Sequence, residues 1–317
     1  MNNAKIVIIG DGMVGSSTAY TLLLEPAIKE IVIIDVNKNK AEGDVLDMRH
    51  GLPFVTPKSI KAGDYKDIID AHVVILTAGV AQKEGETRTE LLNRNIKIFS
   101  SIIENMRPYL SDEAIVLVVT NPVDVLSYFV YKQLGISANR VIGSGTVLDT
   151  ARLKSSIASH IGIDSRNVHT YVLGEHGDSE VAAYSITTIG GMPINKYCSS
   201  CNKCCNRNLE LEKLHEEVKN AAYEIISKKG ATYYAVALAV NQIVKCIVND
   251  YHSILTVSTY INNEFDGNIK DVYFSLPCIV TSKGVERILR VDYSKEEKEK
   301  LIYSANKIKS EINLFSN

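Results

Sequence analysis

The chain shows neither an excess of charge of one sign nor a long apolar run. Its 317 residues include 35 basic and 37 acidic side chains, for a formal net charge of -2. Such a balance offers no electrostatic footprint for nucleic acid or for an anionic membrane. The longest apolar stretches, such as 114–119 and 235–240, are far too short to cross about 30 Å of hydrocarbon. We therefore expect the partners to be small molecules or copies of the chain itself, with no nucleic acid and no membrane.

The sequence also lacks a signal-peptide pattern, internal repeats and low-complexity tracts. Its first residues lead directly into an apolar run, without a basic segment followed by a long apolar segment and a cleavage site. This predicts a soluble, cytoplasmic protein. The length predicts two domains of roughly 150 residues each.

Cysteines are few, and four of the six fall in the short segment Cys198–Cys205. Pairs of the type C-x-x-C suit a tetrahedral zinc or iron–sulfur site. Four ligands from so short a segment would strain the backbone, however, and no second pair stands at zinc-finger separation. We therefore predict a variable surface loop and no metal. Cys246 and Cys278 have apolar neighbours and are predicted to be buried packing residues.

A glycine-rich loop follows the first predicted strand. Residues 6–9 form a β-branched run, typical of a parallel strand buried on both faces, and Gly10-Asp11-Gly12-Met13-Val14-Gly15 comes soon after. In this G-x-G-x-x-G pattern, Gly10 permits a tight turn, Gly12 lets the backbone approach a pyrophosphate, and Gly15 lets the next helix pack on the strand. A helix over 16–24 would offer free N–H groups to the phosphates.

An acidic residue ends the second predicted strand. Residues 30–34 are strand-like and Asp35 follows them. A carboxylate at this position would accept hydrogen bonds from the adenosine ribose hydroxyls and would repel a 2′-phosphate. The loop and Asp35 together predict a dinucleotide site that prefers NAD to NADP. An ordinary tight turn with a solvated aspartate is the alternative, and the strand context disfavours it.

Further alternation predicts an α/β fold with an N-terminal Rossmann-type, doubly wound parallel sheet. Residues 71–77 and 114–120 are two more predicted strands, and ligands in such sheets bind at the carboxyl ends of the strands. The later part mixes helical and strand-like patterns, which predicts an α+β domain with segments at 209–229, 232–245, 253–261, 272–275 and 294–315. We expect an NAD-binding domain over 1–143 and a substrate domain over 144–317.

Three side chains suggest the chemistry. His176 lies in Gly174-Glu175-His176-Gly177-Asp178, and Asp149 and Arg152 precede it in Asp149-Thr150-Ala151-Arg152. An arginine can clamp a carboxylate with two hydrogen bonds, a histidine can exchange a proton with an alcohol, and an aspartate can hold the second histidine nitrogen. This combination suits a 2-oxo or 2-hydroxy acid. Burial opposes the effect of Asp149 on the pKa of His176, and the sequence leaves the balance open.

A polar segment from 80 to 88, with a central glycine, could form a mobile lid that ends in Arg88. A lid arginine could approach a carbonyl oxygen that becomes negative during hydride transfer. A solvated arginine in an ordinary surface loop is the alternative.

These motifs, in this order and over nearly the whole chain, resemble the bacterial L-lactate dehydrogenases of the lactate/malate dehydrogenase superfamily. The resemblance rests on the glycine loop, the 82–88 lid, Asn121-Pro122-Val123-Asp124, the segments around Asp149 and His176, and Gly230-Ala231-Thr232-Tyr233. It implies that His176 exchanges the proton with the substrate and that Asp149 orients the His176 ring. It also implies that Arg152 clamps the substrate carboxylate and that Arg88 polarises the substrate carbonyl. It also implies that Asn121 bonds the substrate oxygen or the histidine, and that Thr232 lines the pocket.

The resemblance further implies a set of cofactor contacts. Beside the glycines of the loop, these positions are Met13, Val14, Asp35, Lys40, Tyr65, Gly79, Val80, Ser101, Val119, Thr120, Asn121 and Ser144. The implied activity is the NAD-dependent interconversion of pyruvate and L-lactate, in fermentation.

Substrate choice depends mainly on Gln82 in this interpretation. The related malate dehydrogenases have an arginine at the matching position, which pairs with the second carboxylate of oxaloacetate. A neutral amide would leave that carboxylate buried and unpaired, at a cost of several kcal/mol. A malate or branched 2-hydroxy acid dehydrogenase and a non-catalytic NAD-binding regulator are the alternatives.

Lys154 and His169 suggest a second, allosteric site. They match an arginine and a histidine that bind phosphate across a subunit interface in relatives activated by fructose 1,6-bisphosphate. Lysine keeps the charge but loses the planar fork of arginine, so activation by the bisphosphate is left open. A purely structural role for His169 is the alternative. By resemblance the assembly is a homotetramer, with a dimer–tetramer equilibrium as the alternative.

Overall fold

The computed structural model describes residues 3–80, 85, 88–200 and 207–316. Gln82 and the cysteines at 201, 204 and 205 lie outside the described residues, and for Arg88 only the backbone is described. Within this part of the chain the strands are β1 (Ala4–Ile9), β2 (Ile28–Ile34), β3 (Ser59–Ala62), β4 (Val73–Leu76), β5 (Ile115–Val118), β6 (Val141–Gly143), β7 (Val168–His169), β8 (Val172–Leu173), β9 (Val181–Ala182), β10 (Thr188–Ile189), β11 (Met192–Pro193), β12 (Ser253–Leu255), β13 (Ser258–Ile261), β14 (Val272–Ser275), β15 (Cys278–Thr281) and β16 (Gly284–Ile288).

The helices alternate with the early strands and dominate the later half. They are α1 (Met13–Leu23), α2 (Lys38–His50), α3 (Arg88–Met106), α4 (Val123–Leu134), α5 (Val147–Ile161), α6 (Ile194–Ser200), α7 (Arg207–Lys229), α8 (Tyr234–Asn249) and α9 (Lys295–Ser316). Across the described ranges, none of these helices is both long and apolar enough to cross a membrane.

Among the described residues the largest sheet has eight strands, in the order β3-β2-β1-β4-β5-β6-β13-β14. The pairs from β3 to β6 are parallel, whereas β13 runs antiparallel to β6 and to β14. From β1, the chain adds strands β2 and β3 on one side and β4, β5 and β6 on the other. This is the arrangement of a doubly wound sheet, whose ligands bind beyond the carboxyl ends of the strands. The predicted fold class is confirmed.

Both faces of this sheet are buried, which explains the continuous apolar runs of its strands. On one face, Ile6 and Ile8 pack with residues of α1 and α8. On the other, Val7 and Ile9 pack with residues of α3, α4 and α9. Successive residues of a strand point to opposite faces, so a four-residue apolar run supplies both cores.

The sheet continues past the expected division near residue 144. Ser258 of β13 pairs with Gly143 of β6, and α8 from the second half packs on α1 from the first. The smaller sheets, β11-β10-β7, β12-β15-β16 and β8-β9, belong to the second half.

One predicted strand is wrong in its extent. The pattern over 253–261 suggests a single strand, but the chain forms β12 and β13, which belong to different sheets. Between them, the carbonyl of Thr256 accepts a hydrogen bond from the backbone N–H of Thr146, at 3.1 Å. Because the Thr256 carbonyl accepts a hydrogen bond from the residue before α5, it is not available for pairing between strands.

Candidate functional site

A cavity of about 370 Å³ lies next to the loop that carries His176. Residues of α3, α5, α7 and α9 line it together with that loop. The polar side chains in its wall include Asn121, Asp149, Arg152, His176, Glu180 and Lys219. We call this space the substrate cavity.

The structure brings His176, Asp149 and Arg152 together at this cavity. The Nδ1 atom of His176 lies 2.5 Å from Oδ2 of Asp149, and an Nη of Arg152 donates to Oδ1 of Asp149 at 2.8 Å. Asp149 and Arg152 are three residues apart on α5, so they share one face of the helix. The Asp149 carboxylate thus binds one partner with each oxygen, and its side chain is only 3% exposed.

Charge decides the protonation of this cluster. Burial alone would lower the pKa of His176, but nearby carboxyl groups, Asp149 above all and then Asp124 and Glu180, outweigh burial and raise that pKa to about 9. Burial likewise opposes ionisation of Asp149, yet His176 and Arg152 hold its pKa below the ordinary value. The balance left open by the sequence therefore favours the imidazolium form. With Nδ1–H held by Asp149, Nε2 is the nitrogen left to exchange a proton in the cavity.

Asp124 holds the backbone of the histidine loop. Its Oδ2 accepts from the backbone N–H of His176 at 2.8 Å, and its Oδ1 accepts from the Ser258 hydroxyl at 2.6 Å. Burial raises the pKa of Asp124 to about 7, against these hydrogen bonds. Sequence reasoning noted Asp124 only as part of a motif and missed Ser258, which lies on β13 and is 134 residues away.

Helix α9 holds the same loop from the other side. The backbone N–H of Glu175 donates to the Ser304 hydroxyl at 2.9 Å, and Lys307 donates to Oε2 of Glu175 at 2.8 Å. The Ser179 hydroxyl also donates to that carboxylate. No sequence signal connects the closing helix with residue 175, because the contact spans about 130 positions.

Asn95 joins the strand ends near Asn121, and sequence reasoning missed it as well. This fully buried residue of α3 accepts from the backbone N–H of Val80 at 3.0 Å and donates to the backbone carbonyl of Asn121 at 3.1 Å. The Thr120 hydroxyl donates to the carbonyl of Ala78 at 2.8 Å. The segments after β4 and β5 are therefore linked where a ligand of this sheet would lie. The Asn121–Pro122 peptide bond is cis.

The glycine loop has the shape that the sequence predicts. Gly10 has φ +108, and a Cβ there would lie 2.3 Å from the backbone N of Ala78. A Cβ on Gly15 would lie 1.9 Å from the carbonyl oxygen of Gly10. Around Gly12, in contrast, a Cβ would meet nothing within 4 Å. Gly10 and Gly15 serve close packing, and Gly12 faces open space at the N-terminus of α1.

Asp35 and its neighbours form the second part of this region. Oδ2 of Asp35 accepts from the backbone N–H of Asp11 at 2.6 Å, and Oδ1 accepts from that of Asn37 at 2.7 Å. Lys40 lies 3.2 Å from Oδ2 of the fully buried Asp11 and 2.6 Å from Asp44. Burial raises the pKa of Asp11 to about 6, although Lys40 opposes this. Tyr65 is half-buried near Asp35, and burial raises its pKa.

The remaining predicted cofactor positions differ in their surroundings. Val119 and Ser144 are joined to the sheet, since their backbone N–H groups donate to the carbonyls of Leu76 and Val118. Met13 is 59% exposed at the start of α1, beside the half-buried Val14. Ser101 is exposed on α3, where its carbonyl accepts from Asn105. A Cβ on Gly79 would lie 2.4 Å from the Thr120 side chain.

Some predicted residues stand apart from the substrate cavity. Thr232 is half-buried between α7 and α8 and is not among the residues that line this cavity as described. The N-cap of α8 is Tyr233, the residue that follows Thr232. Lys154 lies on α5, where burial lowers its pKa, and His169 is exposed on β7. Gln82 and the Arg88 side chain lie outside the described residues, although Thr89, next in the chain, lines the cavity.

The residues present fit a dinucleotide. Gly12 is the N-cap of α1 and has no side chain to bond the first amides of the helix, so these N–H groups and the positive end of the helix dipole are available to a pyrophosphate. The open space at Gly12 gives a ligand backbone contact. Asp35 is held in place by two backbone amides and can still accept hydrogen bonds from hydroxyl groups.

Comparison with known proteins agrees with this geometry. Residues 4–143 match the NAD binding domain of lactate/malate dehydrogenases, and residues 146–317 match the alpha/beta C-terminal domain of the same enzymes. The chain therefore belongs to the lactate/malate dehydrogenase family. The expected resemblance and the expected NAD cofactor are confirmed.

Individual relatives extend the similarity over the whole chain. An L-lactate dehydrogenase from Acetivibrio thermocellus is 51% identical, with 98% of each chain covered. A crystal structure of a lactate dehydrogenase enzyme from a Medee basin deep-sea metagenome library has a TM-score of 0.95 and 43% identity, covering 100% of both chains. The minor L-lactate dehydrogenase from Enterococcus mundtii, in its ligands-bound form, has a TM-score of 0.94 and 40% identity, covering 99% of both chains.

Proposed function

We propose that this chain is an NAD-dependent L-lactate dehydrogenase that interconverts pyruvate and NADH with L-lactate and NAD+. The observation that carries the proposal is the contact of Asp149 with both His176 and Arg152 at one cavity. A proton donor and a carboxylate-binding cation, held by a single buried acid, are what reduction of a 2-oxo acid requires. The relatives named above carry the same activity in their names.

The mechanism assigns one task to each side chain. NADH supplies the hydride when it is bound. As the substrate carbonyl oxygen becomes negative, His176 donates a proton to it from Nε2, and Asp149 stabilises the imidazolium until that moment. In the reverse direction, neutral His176 accepts the alcohol proton. Because pyruvate reduction needs the imidazolium, and nearby carboxyl groups led by Asp149 raise its pKa to about 9, kcat/KM for pyruvate is expected to fall above about pH 9.

Arg152 binds the substrate carboxylate in this proposal. The guanidinium has five N–H donors, and the contact with Asp149 uses one Nη. The other donors are sufficient for a two-bond clamp on a carboxylate. Its side chain is 16% exposed, so the resulting ion pair would be partly shielded from solvent and stronger than a surface pair.

The roles of four further residues come from family resemblance. Arg88 would polarise the carbonyl, and its neighbour Thr89 lines the cavity. Asn121 lines the cavity too and would bond the substrate oxygen or His176. Thr232 would contact the substrate side chain from the segment between α7 and α8. Gln82 would disfavour a second carboxylate, because a neutral amide cannot balance its charge.

An effector site at Lys154 and His169 is part of the proposal. Helix α5 packs on β7, so the two residues belong to adjacent elements. Burial lowers the pKa of the Lys154 ammonium, and a phosphate would stabilise its charged form. Fructose 1,6-bisphosphate would then act at a subunit interface of a homotetramer. We further propose a cytoplasmic location and a division of the chain into cofactor and substrate parts near residue 144.

The decisive test is steady-state NADH oxidation with pyruvate, oxaloacetate and 2-oxoisocaproate. Each substrate is measured with and without fructose 1,6-bisphosphate, and the assembly is followed by light scattering. Preference for pyruvate is expected. Preference for oxaloacetate or for the branched acid would replace the substrate assignment, and NADH binding without turnover of any 2-oxo acid would identify a regulator. If the bisphosphate changes neither the pyruvate half-saturation nor the assembly, the effector site is wrong.

A further inference from the structure

Glu180 is a buried carboxyl group in the wall of the substrate cavity, and the mechanism above does not use it. It lies between the histidine loop and β9 and is 6% exposed. Asp149, Arg152 and His176 line the same cavity. Within the described part of the chain, Oε1 of Glu180 has no hydrogen-bond partner. A buried carboxyl oxygen without a partner is costly and calls for a physical explanation.

The side chain that faces Glu180 is His215 of α7. Its Nε2 lies 3.3 Å from Oε1 of Glu180, and its side chain is 16% exposed. This Nε2 has no aligned hydrogen-bond partner among the described residues either. Two titratable groups this close, both shielded from water, influence each other's protonation, so their apparent pKa values are properties of the pair.

Burial drives the two groups toward the neutral pair. It raises the pKa of Glu180 to about 8 and lowers the pKa of His215 to about 4. Between about pH 4 and pH 8 Glu180 is protonated and His215 is neutral, so the pair has no net charge. Above about pH 8 Glu180 loses its proton to solvent, and the pair carries a single negative charge at the cavity wall.

Charged groups on neighbouring elements also shift the pKa values of Glu180 and His215. For Glu180, the negative Asp149 favours the protonated form, whereas His176, Lys219 and Arg152 favour the carboxylate. For His215, positive neighbours disfavour protonation and negative ones favour it. The groups concerned are Glu216 and Lys219 on α7, Lys300 on α9 and Asp149 on α5. The Tyr184 hydroxyl, also near Glu180, donates to the carbonyl of Leu211.

We propose that Glu180 and His215 form a buried ionisable pair that adjusts the protonation of His176, with Glu180 as a positioning residue acting through its charge on His176. The inference rests on the proposed function, in which His176 donates the proton during pyruvate reduction. When the pair loses its proton, the negative charge of Glu180 stabilises the imidazolium of His176. The proton donor is then retained to higher pH than Asp149 alone would allow.

The sign of the effect separates this role from a structural one. Replacing Glu180 by glutamine removes the negative charge at alkaline pH, so His176 should lose its proton earlier. The alkaline limb of kcat/KM for pyruvate should therefore move down by about 0.5–1 pH unit. The acidic limb of L-lactate oxidation should move down by the same amount, because that direction needs neutral His176. A merely damaged site would lose rate in both directions without moving either limb.

The experiment measures both directions from pH 6 to 10.5 for the wild type, Glu180→Gln and Glu180→Asp. Glu180→Asp keeps a carboxyl group and should retain most of the wild-type limb position. His215→Gln, on α7, replaces a group that is already neutral near pH 9 and keeps the Glu180 carboxyl, so it should leave the limbs close to their wild-type positions. Glu217→Gln, an exposed carboxylate on the same helix, is the matched control and should leave both limbs in place.

A second measurement does not depend on turnover. The protein is labelled with 13C-histidine and titrated by NMR without substrate. The pKa of His176 should be lower in Glu180→Gln than in the wild type, by the same amount as the shift of the limbs. If the wild type fails to reduce pyruvate but this shift is present, the proposed function is wrong and the electrostatic coupling stands. If pyruvate is reduced but limbs and His176 titration coincide in wild type and Glu180→Gln, the coupling is wrong and the function stands.

Discussion

The cofactor region and the substrate cavity are built in different ways. In the cofactor region, Gly10, Gly12 and Gly15 lie within six residues, and Asp35 lies at the end of the adjacent strand β2. In the cavity, His176 depends on Asp149, Asp124 and, through Glu175, on Lys307 of the closing helix. The first region is local in sequence and made largely of backbone. The second is assembled by side chains from four separate segments.

The difference predicts which changes will separate binding from chemistry. A backbone cradle is damaged by added atoms, because its function is to leave space. A network of buried charges is damaged by removed atoms, because each loss leaves a partner uncompensated. Substitutions in one region should therefore leave the other region's measurement unaffected.

The largest effect is expected for Asp149→Asn. The neutral amide leaves His176 and Arg152 without their shared counter-ion, so the imidazolium is no longer favoured. We expect kcat/KM for pyruvate to fall about 10²–10⁴-fold, while NADH affinity, measured by fluorescence titration, changes little. Asp164→Asn, at an exposed pair with Arg166, is the control. Equal losses of catalysis and NADH affinity would show that Asp149 is structural for both regions.

Arg152→Lys should have the next largest effect. The ammonium keeps the positive charge and can still reach Asp149, but it cannot form the planar two-bond clamp. Loss of one charge-assisted hydrogen bond predicts a roughly 10- to 100-fold rise in the KM for pyruvate. An unchanged KM, measured at saturating NADH, would mean that another cation binds the carboxylate.

Two glycine substitutions test the cofactor region from opposite directions. Gly12→Ala adds a methyl group in open space, so we expect normal thermal stability and weaker NADH binding. Gly15→Ala places the methyl group against the Gly10 carbonyl and should destabilise the fold by about 1–3 kcal/mol. Thermal unfolding without NADH, compared with NADH titration, distinguishes them. A stability loss at Gly12 equal to that at Gly15 would contradict the view that Gly12 faces the ligand.

The smallest effect is expected for Lys307→Met, which removes one hydrogen bond to Glu175 behind the histidine loop. A contact of about 1 kcal/mol predicts a roughly fivefold fall in kcat, with little change in NADH affinity. Lys307→Arg should restore most of the activity because it can donate to the same carboxylate. If Lys307→Met alters NADH affinity instead, the closing helix supports the cofactor region rather than the loop.

Sequence reasoning was strongest where the physics is local. The glycine spacing, the buried strands and Asp35 could be interpreted because turn geometry and period-two burial are properties of short segments. The same reasoning identified His176, Asp149 and Arg152 as chemical types, without their geometry. It missed Asn95, Ser258 and Ser304, since an asparagine or serine carries no signal until a partner approaches it. It also merged β12 and β13, whose separation depends on the distant Thr146.

By itself, the sequence determined the fold class, the dinucleotide loop and the residue types available for proton transfer, because these follow from short-range patterns of glycine, apolar and acidic residues. Only the tertiary structure decided how the buried charges pair. Asp149 is shared by His176 and Arg152, and Glu180 faces His215. The physical reason is that the pKa of a buried group depends on distance and desolvation, and both arise only when remote segments pack together.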